Sequence, residues 1–233
     1  MATTLTGPVQ RLRPIEVVPP GTLVIHEIYR SIQGESSFAG LPCVFVRLTA
    51  CHLRCRWCDT PHAFTQGEPM TIDAVVARVM AEDCSLVEIT GGEPLLQDGV
   101  FTLMTRLADA GRTVLLETSG AVEVGRVDPR VRIIMDLKCP GSGECERNLY
   151  ENLDLLSRSG EIKFVIADRR DFDWACEQVR TRHIADRFAV LFSPVFGELE
   201  PKTLAEWILA SRLAVRLQLQ QHKYVWDPSA RGV

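Results

Sequence analysis

No stretch of this 233-residue chain approaches the ~20 consecutive apolar residues that a bilayer-spanning helix requires. The opening segment, MATTLTGPVQRLRPIEVVPPG, lacks the apolar middle region of a secretory signal, so the chain reads as cytoplasmic. Positive charge is not in excess. Twenty-six Lys and Arg face thirty Asp and Glu, a net charge of −4. Sequence-independent nucleic-acid binding uses a basic face to displace counterions, and this balance argues against it. Repeats and low-complexity linkers are also missing. Only the Pro-rich residues 1–21 look like an extension, which leaves 22–233 as one domain.

Eight cysteines are present. In a reducing compartment, clustered cysteines point to metal or redox chemistry rather than disulfides. Three of them, Cys51, Cys55 and Cys58, fall within eight residues. Cys43, Cys84, Cys139, Cys145 and Cys176 are scattered and read as small buried hydrophobes.

Short β-rich runs alternate with helical ones. Strands are predicted at Leu23–Ile28, Val44–Leu48, Leu86–Thr90, Thr113–Glu117, Val131–Leu137, Glu161–Ile166, Ala189–Phe192 and Val215–Gln220. Helices are predicted at Thr71–Met80 behind a Thr cap, Leu95–Ala110, Asn148–Ser157, Asp171–Arg182 and Leu204–Ala214, with Gly111 and Gly160 as stops. This alternation implies an α/β fold with parallel strands and right-handed crossovers. Periodicity does not choose between an open sheet and a barrel. CHLRCRWC, GGEP, ETSG, DLKCP and SPVFG all fall just past strand ends. Both architectures keep their sites on that rim.

The cysteine loop has three readings. A disulfide would leave an odd thiol. Zinc could take Cys51, Cys55, Cys58 and His62 as a Cys₃His set, although every ligand would come from one loop. A four-iron, four-sulfur (4Fe–4S) cluster normally takes four cysteines, so three would leave one iron open, as a catalytic site needs.

Cys51-x3-Cys55-x2-Cys58, with Trp57 before the last cysteine, resembles the signature of the radical S-adenosylmethionine superfamily. The resemblance implies a partial (β/α)6-type barrel with about six core parallel strands and the cysteine loop at its top. It also implies that S-adenosylmethionine chelates the open iron and yields a 5′-deoxyadenosyl radical when one electron breaks its C–S bond. Trp57 would lie against the adenine, or simply pack. Gly91-Gly92-Glu93-Pro94 is similar to the superfamily's second motif, in which glycine backbone approaches the ligand and Glu93 would accept from its ammonium group. Asp136-Leu137-Lys138 and Ser193 are further candidates near the cofactor, with a strand end entering solvent as the plain alternative.

Four segments narrow the resemblance. They are Ser31-Ile32-Gln33-Gly34-Glu35, Val46-Arg47-Leu48, Asp59-Thr60 and the closing Leu219-Gln220-Gln221-His222-Lys223-Tyr224. Together with GGEP and ETSG in this order, they make residues 25–226 similar to the 7-carboxy-7-deazaguanine synthase family of the 7-deazapurine (queuosine-type) pathway. That resemblance implies a lyase converting 6-carboxy-5,6,7,8-tetrahydropterin to 7-carboxy-7-deazaguanine with loss of ammonia, using S-adenosylmethionine and Mg²⁺. By the same resemblance Ile32, Gln33, Gly34, Glu35, Arg47 and Thr90 would meet the substrate, with Arg47 gripping its carboxylate. Thr60 would give its hydroxyl to Mg²⁺, or merely cap a turn before Pro61. Trp57, Cys58, Asp59, Gly92, Glu93, Asp136, Leu137, Lys138 and Ser193 would border the cofactors. No motif residue is assigned as a general acid or base. A flavodoxin or ferredoxin donor and a homodimer are implied as well. The sequence departs from the family at Gln33-Gly34-Glu35-Ser36, where members often carry a second glycine, and in its tail after Trp226. A glycyl-radical activating enzyme shares the cysteine spacing, and a zinc-stabilised binding module is the alternative outside enzymes.

Overall fold

The computed structural model describes residues 18–228 and 230–233, so most of the 1–21 extension lies outside the described residues. Nine strands form one mixed sheet: β1 (Thr22–Ile32), β2 (Pro42–Leu48), β3 (Glu68–Thr71), β4 (Leu86–Gly91), β5 (Thr113–Thr118), β6 (Arg132–Asp136), β7 (Glu161–Ile166), β8 (Ala189–Pro194) and β9 (Arg216–Leu217). Their order is β3-β1-β2-β4-β5-β6-β7-β8-β9. From β2 onward every pairing is parallel, whereas β1 runs antiparallel to both β2 and β3. The helices are α1 (Ile72–Ala81), α2 (Gly99–Asp109), α3 (Asn152–Leu155), α4 (Arg169–Thr181), α5 (Pro201–Ser211) and α6 (His222–Val225). No described helix is long and apolar enough to cross a membrane.

The local sequence explains most of these elements. Thr71 caps α1 by accepting from the Ala74 amide at 3.2 Å, and Asp168 caps α4 from the Asp171 amide at 3.0 Å. The helix predicted at Asn148–Ser157 shrinks to the single turn α3. Asn148 spends its amide on both backbone groups of Lys138, at 2.8 and 2.9 Å. Asn152 does the same with Val124, Gly120 and Val122. Such side-chain bonds to backbone compete with helix. The short edge strand β3 was not predicted, because EPMT carries a proline and no alternation. The strand predicted at Val215–Gln220 keeps only two residues before the chain turns into α6.

The sheet does not close by hydrogen bonds, yet it curls. Glu161 at the start of β7 accepts from the Ser37 amide beyond β1 at 3.0 Å, and Arg216 of β9 donates to the Ser37 hydroxyl at 2.8 Å. The Gln221 amide reaches the Gly34 carbonyl at 2.9 Å. These bonds span the gap between the two ends of the sheet, so the expected partial barrel is an open curled sheet with β1 packed into its core.

The outer face is apolar and covered by helices. Behind β7 and β8, Phe164, Phe172 and Phe192 meet edge to face at 5.5 and 5.8 Å, and Trp174 and Trp207 complete the cluster. Along the inner face, alternate positions are polar: Glu27 and Tyr29 on β1, Arg47 on β2, Glu88 and Thr90 on β4, Glu117 on β5 and Lys163 on β7 all line one cavity. The two-residue period of a strand thus sorts core from site. Phe192→Ala, at a position with no exposed surface, should destabilise by roughly 3–5 kcal/mol. Urea unfolding should show a lower midpoint with an unchanged slope.

Candidate active site

The site begins with the chain leaving β2. Ala50 takes a left-handed φ of 79°, which turns the chain into the cysteine loop. Two segments hold this loop. On one side the Gly92 amide donates to Leu48 and the Glu93 amide to the Ala50 carbonyl, at 3.2 and 2.8 Å. A Cβ on Gly92 would stand 2.2 Å from the Ala50 oxygen, so only glycine allows this approach. On the other side the Arg54 amide donates to Glu144 at 2.6 Å and the Arg56 amide to the Ser142 carbonyl at 2.9 Å.

Cys51, Cys55 and Cys58 are free thiols, and all three line a cavity of about 480 Å³ together with Trp57, Asp59 and Thr60. No other cysteine lines it. A single zinc ion with Zn–S bonds of about 2.3 Å would draw its thiolates to roughly 3.8 Å of one another. Among the described residues, the three thiols form no such set, and His62 groups instead with His26 and Glu27. The Cys₃His set expected for zinc is thus not gathered among the described residues. A cubane places each thiolate on a different iron, and three free thiols with no fourth at one cavity fit it. Burial pushes the Cys51 thiol up to about 12 and raises Cys55 as well, with Lys138 opposing both. Ligation must therefore expel protons, as metal binding to thiols does.

Lys138 and Asp136 pair at 2.9 Å at the end of β6 and beyond it, and both face the cavity. Burial would lower the Lys138 ammonium, but Asp136 and Cys55 hold it above its ordinary value. One Asp136 oxygen, Oδ1, is buried without a partner among the described residues. A buried polar atom left open in this way suits a ligand. Gly92 also lines the cavity.

Glu93, Leu137 and Ser193 lie behind the lining and are fully or almost fully buried. Glu93 accepts from the Leu95 and Ser119 amides at 3.1 and 2.8 Å and from the Thr118 and Ser119 hydroxyls. Its carboxylate thus fastens GGEP to ETSG and is already saturated. Leu137 packs in the core, and the Ser193 hydroxyl has no partner among the described residues.

Ile32, Gln33, Gly34, Glu35, Arg47 and Thr90 line the same cavity. Arg47 donates from Nε to Glu27 at 2.7 Å and from Nη2 to the Tyr29 hydroxyl at 3.0 Å. Gly34 is needed for close approach, since a Cβ there would meet the His222 ring at 2.5 Å. Ser36, where a second glycine was expected, takes φ 60° and stays in place, its hydroxyl accepting from the Phe38 amide at 3.1 Å. Thr60 makes no capping bond to the turn after it, which leaves its hydroxyl 4.0 Å from the Cys58 sulfur. Thr90 reaches Glu117 at 3.3 Å. The tail also arrives here, with Asp227, Pro228 and residues 230–233 in the lining.

Three cavity residues escaped the motif reading. Lys163 pairs with Glu35 at 2.8 Å, with Glu117 at shorter range, and with Asp136 at 3.9 Å. Burial disfavours its charge, but Glu117, Glu35 and Asp136 reverse that and hold it well above its ordinary value. Glu88 is buried and receives the Gln33 amide at 2.6 Å. Burial, then the charge of Glu117, pushes it up to about 8. The signal for both was a charge in mid-strand, EIKFVI and LVEIT; for Glu117 it was the motif ETSG itself.

The family model of the Radical SAM superfamily matches residues 46–139. A curated 7-carboxy-7-deazaguanine synthase from Chlorobaculum tepidum is 52% identical over 214 residues, covering 91% of this chain and 97% of the relative. Another from Koribacter versatilis is 46% identical over 224 residues, covering 90% and 99%. Among solved structures, the crystal structure of QueE from Escherichia coli superposes with a TM-score of 0.72 at 25% identity, covering 86% of this chain and 95% of that one.

A carboxyl with a raised native pKa contributes most stability below its unfolded value and loses it as pH climbs to about 8. Glu88→Gln keeps the shape of the neutral acid. Its stability relative to the parent should rise with pH by up to about 1.4 kcal/mol per unit between pH 5 and 8, then level off. Denaturant midpoints across that range check this; a flat difference would show Glu88 ionised throughout.

Proposed function

The chain belongs to the 7-carboxy-7-deazaguanine synthase family, and we propose that this cavity converts 6-carboxy-5,6,7,8-tetrahydropterin to 7-carboxy-7-deazaguanine with release of ammonia. The observation that carries the proposal is the convergence of three thiols, without a fourth, on one cavity that Arg47, Gln33 and Glu35 also line. At about 480 Å³ it falls within the range of small-molecule sites.

Cys51, Cys55 and Cys58 would hold the 4Fe–4S cluster, which with S-adenosylmethionine supplies a 5′-deoxyadenosyl radical when bound. Around that cofactor, Trp57 offers a flat ring, Gly92 bare backbone, and Asp136 an unsatisfied oxygen suited to a hydroxyl or ammonium donor. Lys138 pairs with Asp136 at 2.9 Å, and Asp59 borders the same volume. Glu93, Leu137 and Ser193 act from behind, holding the GGEP turn and the strand ends in place.

For the substrate, Arg47 keeps Nη1 for a carboxylate while Glu27 and Tyr29 fix its plane. Gln33 spends its carbonyl on the Glu35 amide at 2.6 Å and its NH₂ on Glu88, so it orients both acids rather than standing free. Glu88 carries a proton near neutral pH and so offers an O–H donor to a ring nitrogen or carbonyl. Ile32, Gly34 and Thr90 complete the wall. The Thr60 hydroxyl, uncommitted to any cap, suits Mg²⁺, which takes oxygen ligands and retains water. A flavodoxin or ferredoxin donor and a homodimer complete the proposal, with residues 22–233 as one domain.

Reconstituted protein given the carboxypterin, S-adenosylmethionine and Mg²⁺ should yield the deazaguanine. Cys55→Ala should abolish both the cluster and 5′-deoxyadenosine formation; turnover retained in that variant would overturn the radical reading. Arg47→Lys should raise KM for the carboxypterin roughly 10- to 100-fold, the worth of a lost charged hydrogen bond. Thr60→Ala should raise the Mg²⁺ requirement, and an unchanged Mg²⁺ dependence would remove Thr60 from the metal.

A further inference from the structure

Beside the cysteine loop, the described residues bring together one other set of metal donors. His26, Glu27 and His62 each present a ligand atom, and the three atoms lie within 4.8 Å of one another. Regular strand geometry would hold His26 and Glu27 apart, because neighbouring side chains point to opposite faces. The register of β1 against β2 slips between Ile25 and Glu27, so His26 is the extra residue of a β-bulge. Bulges re-aim side chains, and this one turns His26 toward the side that Glu27 occupies. His62 comes from the turn Pro61–Phe64, and its ring stands 4.8 Å from that of His26.

The surroundings are those of a ligand set. His26 Nδ1 lies 2.9 Å from the Gln66 carbonyl oxygen. A carbonyl only accepts, so Nδ1 carries the proton and Nε2 keeps its lone pair. Metal-bound histidines are oriented and tautomerised by this kind of bond. Glu27 gives one oxygen to Arg47 Nε at 2.7 Å and keeps the other.

We propose that His26, Glu27 and His62 form a second metal site, for a borderline divalent ion with zinc as the first choice, separate from the cluster and from Thr60. Two imidazoles and a carboxylate suit zinc and leave a fourth position for water or a ligand. Mg²⁺, which prefers oxygen, is a poor match. Glu27 and His62 both line the cavity, so the open position faces it. A bound ion would tie β1 to the loop that carries the cysteines, four residues beyond Cys58.

The test uses the anaerobically reconstituted holoenzyme, whose cysteines are already occupied by iron. It is equilibrated with zinc chloride and desalted, and its zinc and iron are counted together. The parent should hold one zinc per chain beyond its iron, with nitrogen and oxygen neighbours in zinc-edge X-ray absorption and a higher Tm than the zinc-free holoenzyme. His26→Gln, on β1 and off the cysteine loop, should weaken zinc binding about tenfold or more, lose the Tm shift and keep its iron. His62→Gln should repeat the result from the other strand of chain. No added zinc in the parent, a sulfur-dominated zinc shell, or undiminished zinc in both variants would overturn the proposal.

Discussion

A single buried ammonium organises the molecule. Lys163 rises from the middle of β7 into the concave face of the sheet and is surrounded by Glu35 from beyond β1, Glu117 from β5 and Asp136 from β6. Buried charge is tolerable only when it is paired and hydrogen-bonded, so the three carboxylates must come to it. Glu35 crosses the open gap of the sheet to do so, and Gln220 of the closing segment follows it at 3.0 Å. The SIQGE loop and the C-terminal segment are thus linked to the middle of the sheet through Lys163, beside the Ser37 and Gly34 bonds that also span the gap. With those carboxylates drawn to Lys163, Glu88 nearby is left to remain neutral.

The cysteine loop depends on a different constraint, backbone proximity. Gly92 lets the GGEP turn lie directly on Ala50, and Glu93 then fastens that turn to the next strand end through three donors, the Thr118 hydroxyl and the Ser119 amide and hydroxyl. Strand ends β2, β4 and β5 become one rigid rim. A loop offering only three ligands needs such a frame, because its geometry is not completed by a fourth cysteine. Glu93 itself is buried behind the cavity lining, where it holds the GGEP turn against the end of β5.

Sequence reading found most of this rim because its residues break local rules: three thiols in one short loop, paired glycines after a strand, charges at strand ends. It was weaker where a residue obeyed local rules and acted at a distance. Lys163 and Glu88 sit in strands whose apolar pattern was read correctly, and their charges had no visible partners, since Glu35 lies 128 positions from Lys163. Asn148 and Asn152 misled in the opposite direction. Their side chains bind backbone far from them in sequence, and the helix that their segment favoured gave way. The edge strand β3 offered no pattern at all; its pairing with β1 alone makes it a strand.

The three-cysteine loop, the parallel α/β framework and the family-like segments on its rim were determined by the sequence itself. Each is a local matter of spacing, capping and alternation, which the chain carries whether folded or not. Only the tertiary structure decided that His62 groups with His26 and Glu27 and not with the thiols, that Glu93 is already saturated, and that Lys163 gathers Glu35, Glu117 and Asp136. It alone brought donor atoms of His26, Glu27 and His62 within 4.8 Å of one another. These facts rest on which side chains meet across the curled sheet and on a one-residue bulge in β1. Both arise when non-adjacent segments pack, where burial makes every unpaired charge and donor costly.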